Sequence, residues 1–132
     1  MEIGIRRVHA EPATGEGRRV LVDRLWPRGK SKAELEGVAW VKSVAPSSAL
    51  RDWFGHEPAK WAEFKARYFA ELDANPEGLA ELRKALGRGR HATLLYAARD
   101  ERHNNAVALA EYLSPARGRT PPSGSATPAR AP

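Results

Sequence analysis

Asp23, Arg24, Arg28 and Lys30 fall within eight residues, directly after the apolar run Val20-Leu21-Val22. A strand interior needs only apolar side chains, so charge concentrated at a strand end suggests a site rather than a packing requirement. Guanidinium forks match the oxygens of phosphate or carboxylate in bidentate fashion, which makes Arg24 and Arg28, with Lys30, candidate anion-binding groups. Asp23 would orient these cations or act as a base. Trp26 lies between them and could stack on a planar ligand such as a nucleobase. The plainer alternative is an Asp23–Arg24 ion pair with Trp26 filling the core.

A second polar turn spans residues 96–105 and carries Tyr96, Asp100, His103 and Asn104. It runs into a helix whose first backbone amides lack intrahelical partners and therefore attract anions. Asp100 or Asn104 could equally cap that helix. His103 is the candidate acid or base near neutral pH. Arg51 and His56, framing Trp53-Phe54-Gly55, are weaker candidates for the same crevice, and a solvated helix face accounts for them equally well.

These turns can cooperate only if the elements between them set both at one sheet edge. Residues 2–9, 19–25 and 91–98 read as strands, and 38–44 as a weaker one. Residues 11–17 form a turn-rich connection, and residues 31–36 a single helical turn. Ser47 and Ser48 open a short helix bearing Leu50, Trp53 and Phe54 on one face. Pro58 starts the longest helix, with a stripe of Trp61, Phe64, Tyr68 and Leu72. Asn75-Pro76 caps and starts the next, which buries Leu79, Leu82 and Leu86 and stops at Gly87. Residues 106–113 form the last helix, with Val107, Ala110 and Leu113 on its inner face.

Strand, helices, strand, helix is an α/β order. The helices between strands 20–25 and 92–97 permit the crossover that parallel strands require. The expected fold is one α/β domain over residues 1–113, with a small, at least partly parallel sheet flanked by helices. Parallel strands end on one edge, so residues 23–30 and 98–105 should face a single crevice, where open α/β sheets place ligands. Residues 114–132 hold five of the ten prolines and no large apolar residue, and are expected to form a disordered tail.

Composition narrows the function further. The 132-residue chain carries a net charge of +6. Arg117, Arg119 and Arg130 supply +3 of it in the tail, which leaves a domain of modest charge in which cations cluster at residues 24–32. There is no cysteine, hence no disulfide, thiol nucleophile or thiolate metal site. The four histidines have no metal-ligand spacing, so no metal is expected. No dinucleotide fingerprint, Walker loop or nucleophile elbow occurs, so no cofactor is expected. No apolar run is long enough to span a membrane and no signal core opens the chain, which makes the cytoplasm the expected compartment.

The residues 20–30 resemble the hallmark of the YeaO-like branch of the domain-of-unknown-function 488 family. The resemblance continues through Trp40-Val41-Lys42, Ala45-Pro46-Ser47, Trp53-Phe54, His56, Trp61, Phe64 and Tyr68. It closes on Thr93-Leu94-Leu95-Tyr96-Ala97, Asp100 and Asn104, and so covers most of the domain but not the tail. It implies a small α/β domain and no settled activity. A more distant branch of the family is similar at the arginine turn but has cysteine near the position of Tyr96 and a Cys-His-Arg turn before the helix. Here Tyr96 and Asn104-Asn105 stand instead, so thiol chemistry does not carry over. No helix-turn-helix with a basic recognition helix is present. The sequence thus points to an anion-binding crevice for a phosphate-bearing small molecule, nucleotide or nucleic-acid end. The alternative is a non-catalytic module that engages nucleic acid or an acidic partner through its cations.

Overall fold

The structure is a computed structural model that describes residues 1–114, so the expectation of a disordered tail lies, from residue 115, outside the described residues. Four strands form one sheet: β1 (Glu2–Arg7), β2 (Arg18–Leu21), β3 (Val38–Trp40) and β4 (His91–Tyr96). Their order across the sheet is β1-β4-β2-β3, and every pairing is parallel. Four helices accompany it: α1 (Ser48–Phe54), α2 (Trp61–Asp73), α3 (Pro76–Leu86) and α4 (Asn105–Leu113). The fold is the expected α/β domain, with a sheet that is wholly parallel.

The apolar runs explain the sheet. β4 sits between β1 and β2, and all of Ala92 to Tyr96 is buried, as a strand covered on both faces requires. Side chains alternate between two cores. Val20, Val22, Ala92, Leu94 and Tyr96 pack with the helices, while Leu21 and Leu95 pack on the opposite face with Val8 and Leu35. That second face is covered by loop segments rather than helices, with Trp26 and Trp40 sealing it. The connection after β1 also holds to the sheet: Thr93 Oγ1 donates to the Glu16 carbonyl at 2.9 Å, and Arg6 forms an ion pair with Glu16.

Local chemistry starts and stops the helices where the sequence indicates. Ser31 and Glu34 form a reciprocal capping box around a single turn. Ser47, Asn75 and Asn104 are N-caps, each accepting the backbone N–H three residues on. Pro58 opens a 3-10 turn, Pro58–Lys60, that leads straight into α2.

Three expectations are corrected. The segment 38–44 is a strand only to Trp40, and Lys42–Val44 form a 3-10 turn. The buried Tyr68 hydroxyl donates to the Val44 carbonyl at 2.5 Å, so that carbonyl is satisfied by α2 and not by a ladder. The strand expected over 19–25 ends at Leu21, with one further ladder bond from Val22 N–H to the Leu95 carbonyl. In α4 the buried residues are Ala106, Ala108 and Leu109, and the expected face of Val107, Ala110 and Leu113 is only half-buried. A run of small apolar residues round the helix leaves periodicity too little contrast to choose the face.

Candidate functional site

The crevice begins where β2 stops. Because β2 and β4 are adjacent and parallel, the turns that follow them leave the same edge of the sheet. Together with the α1 region they enclose a cavity of about 780 Å³. That volume lies within the range of ~300–1,000 Å³ common for small-molecule sites.

Asp23 ties the two turns together. Its Oδ2 accepts the Ala97 N–H at 2.9 Å, and the side chain is also hydrogen-bonded to Asn105. The Asp23 carbonyl accepts the Trp40 indole N–H at 2.8 Å. Burial is the largest influence on the carboxyl and raises its pKa. The bonds from Ala97 and Asn105 and the nearby charge of Arg51 oppose the rise without cancelling it. Asn105 in turn donates to the Val22 carbonyl at 2.9 Å, so α4 is fixed to the end of β2.

The cations ring the opening. Arg24, Arg28, Arg51 and Arg99 all line the crevice and are all exposed. Arg24 does not pair with Asp23. Its guanidinium reaches over to the Pro46 carbonyl at 3.1 Å, at the entry to α1. Among the described residues, the guanidiniums of Arg28, Arg51 and Arg99 make no hydrogen bond or ion pair, and Arg51 acts on Asp23 only through space. Four arginines against Asp23 and Asp100 leave the crevice positive.

Asp100 organises the second turn. Its Oδ1 accepts the N–H groups of Arg102 and His103, and its Oδ2 lies 2.9 Å from His103 Nδ1. These bonds, from the Arg102 N–H first, lower the Asp100 pKa. When Nδ1 carries the proton toward Asp100, Nε2 keeps its lone pair. The His103 ring stands edge-on to Trp61 at 5.3 Å between centroids. Asn104 is buried, with its Oδ1 on the Val107 N–H and its Nδ2 on the Asp100 carbonyl. Its side chain is engaged by the cap, by the Asp100 carbonyl and by Tyr96.

Of the residues expected at a site, the structure therefore brings Asp23, Arg24, Trp26, Arg28, Asp100, His103 and Asn104 to one crevice. Lys30 and Tyr96 stand outside it. Lys30 lies 3.9 Å from Glu34, its i+4 neighbour, and Tyr96 is buried with its hydroxyl bonded to Asn104. Trp26 has a divided position. One edge lines the crevice, while its indole N–H donates to the Lys30 carbonyl at 2.6 Å and its ring packs edge-on to Trp40. Arg51 and His56, the weaker candidates, do reach the crevice. Arg99 and Asn105 join it without having been singled out. Both lie on the second turn itself, and their place beside its singled-out residues is the signal that could have found them.

His56 has one more distinction. Among the described residues it is the non-glycine with positive φ, at 59°, directly after Gly55 at 55° closes α1. Such a conformation costs a β-carbon-bearing residue energy and often marks a functional position. Among the described residues no cluster of three or more His, Asp or Glu is placed to hold a metal ion, and no helix is long and apolar enough to cross a membrane.

A four-stranded parallel sheet with an arginine-lined crevice at its C-terminal edge defines a small α/β protein. The chain belongs to the DUF488 family, in the group described as the inactive DUF488-N3 subclade, which matches residues 2–129. It is 38% identical over 113 residues to the uncharacterized protein YeaO of Escherichia coli, covering 86% of this chain and 97% of that one. It is 40% identical over 112 residues to an uncharacterized protein of Mycobacterium tuberculosis, covering 85% and 93% of the two chains. No solved structure matches the chain.

Proposed function

We propose that this protein binds a small phosphate-bearing ligand in the crevice between its two strand-end turns, and that it does so without catalysing a reaction. The observation that carries this reading is the ring of exposed arginines around one concave opening, with Arg28 and Arg99 unpartnered among the described residues. A guanidinium without a protein carboxylate is available to an anion, and several around one opening hold more than one oxygen. The concave setting favours a small ligand over the alternative, a module that spreads its cations along a nucleic-acid backbone or an acidic partner. The Asp100–His103 pair has the form of an acid–base device, yet among the described residues no serine, threonine or lysine lines the crevice beside it, and the description of the family as inactive supports a binding role. Asp23 then serves recognition rather than proton transfer. The reading places the protein in the cytoplasm, in keeping with a chain that has no cysteine.

Thermal unfolding of the full chain with inorganic phosphate and with ribose 5-phosphate tests the reading, since a ligand of the folded state raises the midpoint by mass action. Ribose 5-phosphate should raise it, and Arg28→Ala should reduce the rise without lowering the midpoint of the free protein. Equal shifts in both proteins would remove Arg28 from the site. The absence of any shift with either ligand would remove the anion site itself.

A further inference from the structure

The crevice changes character with depth. Arginines and the exposed Leu25 line the outer crevice, and the buried lining is largely carbon, with Pro46, Phe54 and Phe64 buried and Trp26 half-buried beside the buried Asn104. Phe54 and Phe64 pack ring against ring at 4.5 Å. At the sheet edge the lining turns polar again at Asp23. Inorganic phosphate would use the opening and leave the apolar surface of Trp26 and the exposed Leu25 wet. The wall gains from a ligand with a planar, largely apolar body, because burying aromatic and aliphatic surface is favourable while the few polar groups set orientation.

Asp23 indicates what the far edge of that body carries. An ionised carboxylate accepts hydrogen bonds and donates none, with about four lone-pair positions on its two oxygens. The Ala97 N–H and the Asn105 side chain are its hydrogen-bond partners among the described residues, so acceptor capacity remains. The burial that raises its pKa makes a donor arriving from a ligand more valuable than one at a wet surface. A ligand edge with two adjacent N–H donors meets this carboxylate in bidentate form.

We propose that the ligand is a guanine nucleotide, its base against the aromatic wall with the N1–H and 2-amino groups on Asp23, and its phosphate among the arginines at the opening. The proposal rests on the anion-binding reading and narrows it. Adenine presents a donor beside an acceptor on the corresponding edge, and that acceptor would face a carboxylate oxygen. Hypoxanthine keeps N1–H but lacks the amino group, so it tests the second donor by itself.

Isothermal titration of the full chain with guanosine, inosine and adenosine monophosphates and with ribose 5-phosphate is the test. Guanosine monophosphate should bind at least tenfold more tightly than adenosine monophosphate or ribose 5-phosphate, with inosine monophosphate between. Asp23→Asn keeps an oxygen for the Ala97 N–H but can place an amide donor beside the base, and should weaken guanosine monophosphate at least tenfold and erase its advantage over adenosine monophosphate. Ribose 5-phosphate binding as tightly as guanosine monophosphate would overturn the base contact and leave the anion site standing. No binding by any of the four would overturn both. Adenosine monophosphate matching guanosine monophosphate, or an Asp23→Asn protein that keeps the guanine preference, would also overturn the assignment. Should Asp23→Asn fail to fold, the wild-type series alone separates these outcomes.

Discussion

The Asp23 carboxylate accepts the Ala97 backbone N–H at 2.9 Å, and this bond joins the ends of β2 and β4 where neither strand continues. One side chain thus sets the spacing between the two turns that carry the arginines. Removing it by Asp23→Ala leaves the Ala97 N–H without its partner and should cost about 1–3 kcal/mol, the range for an orphaned buried donor. Chemical denaturation at neutral pH measures it. A loss well below that range would show that water replaces the carboxylate.

The same residue gives a pH signature. Burial raises the Asp23 pKa in the folded state above its ordinary value of 3.8, so the folded protein holds the proton to higher pH than the unfolded chain. Its contribution to stability is therefore full below the unfolded pKa and is lost as pH rises through the folded pKa. Asp100 runs the other way. Its lowered pKa gives stability that is present above 3.8 and is lost as pH falls through the folded value. Denaturation midpoints from pH 3 upward should show wild type losing stability relative to Asp23→Asn as the pH climbs past 3.8. Parallel curves would mean that Asp23 titrates normally.

Tyr68→Phe should destabilise the fold by about 1–3 kcal/mol, although the ring stays and no large cavity forms. Tyr68 is fully buried and its hydroxyl satisfies the Val44 carbonyl, the last residue of the 3-10 turn before Ala45 and Pro46 enter the crevice wall. Urea denaturation of the variant supplies the number. Because Val44 leads into that wall, ligand-induced shifts should weaken as well.

Gly17→Ala is expected to abolish folding or to lower the melting midpoint by many degrees. Gly17 has φ of 66°, and a β-carbon there would run into the His91 carbonyl at the start of β4. Backbone on both sides leaves no flexible group to move. Circular dichroism of the purified variant is sufficient: a native-like midpoint would show that the chain enters β2 by another path.

His56→Gly should raise stability by about 1 kcal/mol, since glycine takes the left-handed conformation without the β-carbon clash. If His56 also faces the ligand, the variant will be more stable and bind less tightly. Thermal midpoints with and without ribose 5-phosphate separate the two effects. A destabilised variant would show that the His56 ring, set against Phe54 at 6.2 Å, contributes more by packing than its backbone costs.

What the sequence determined by itself is local. The apolar run Val20-Leu21-Val22 and the core of β4 mark strands covered on both faces, and Ser31, Ser47 and Asn75 mark helix starts, with Asp100 and Asn104 the two cap candidates for the last helix, because a cap bonds only three residues along the chain. The alternation that sends Val20 and Leu21 to different cores is a property of any extended backbone. The strand order was not legible, since which strands pair depends on which faces fit across the fold. Only the tertiary structure decided that β4 inserts between β1 and β2, and with that order came the crevice. Arg51 and His56 arrive from α1 and its end, Arg99 and Asn105 from the turn after β4, and Asp23 finds the Ala97 N–H rather than Arg24. Lys30 had the right charge at the right distance along the chain. Yet its turn carries it away from the opening to Glu34, because a side chain follows the direction of its backbone and not its place in the sequence.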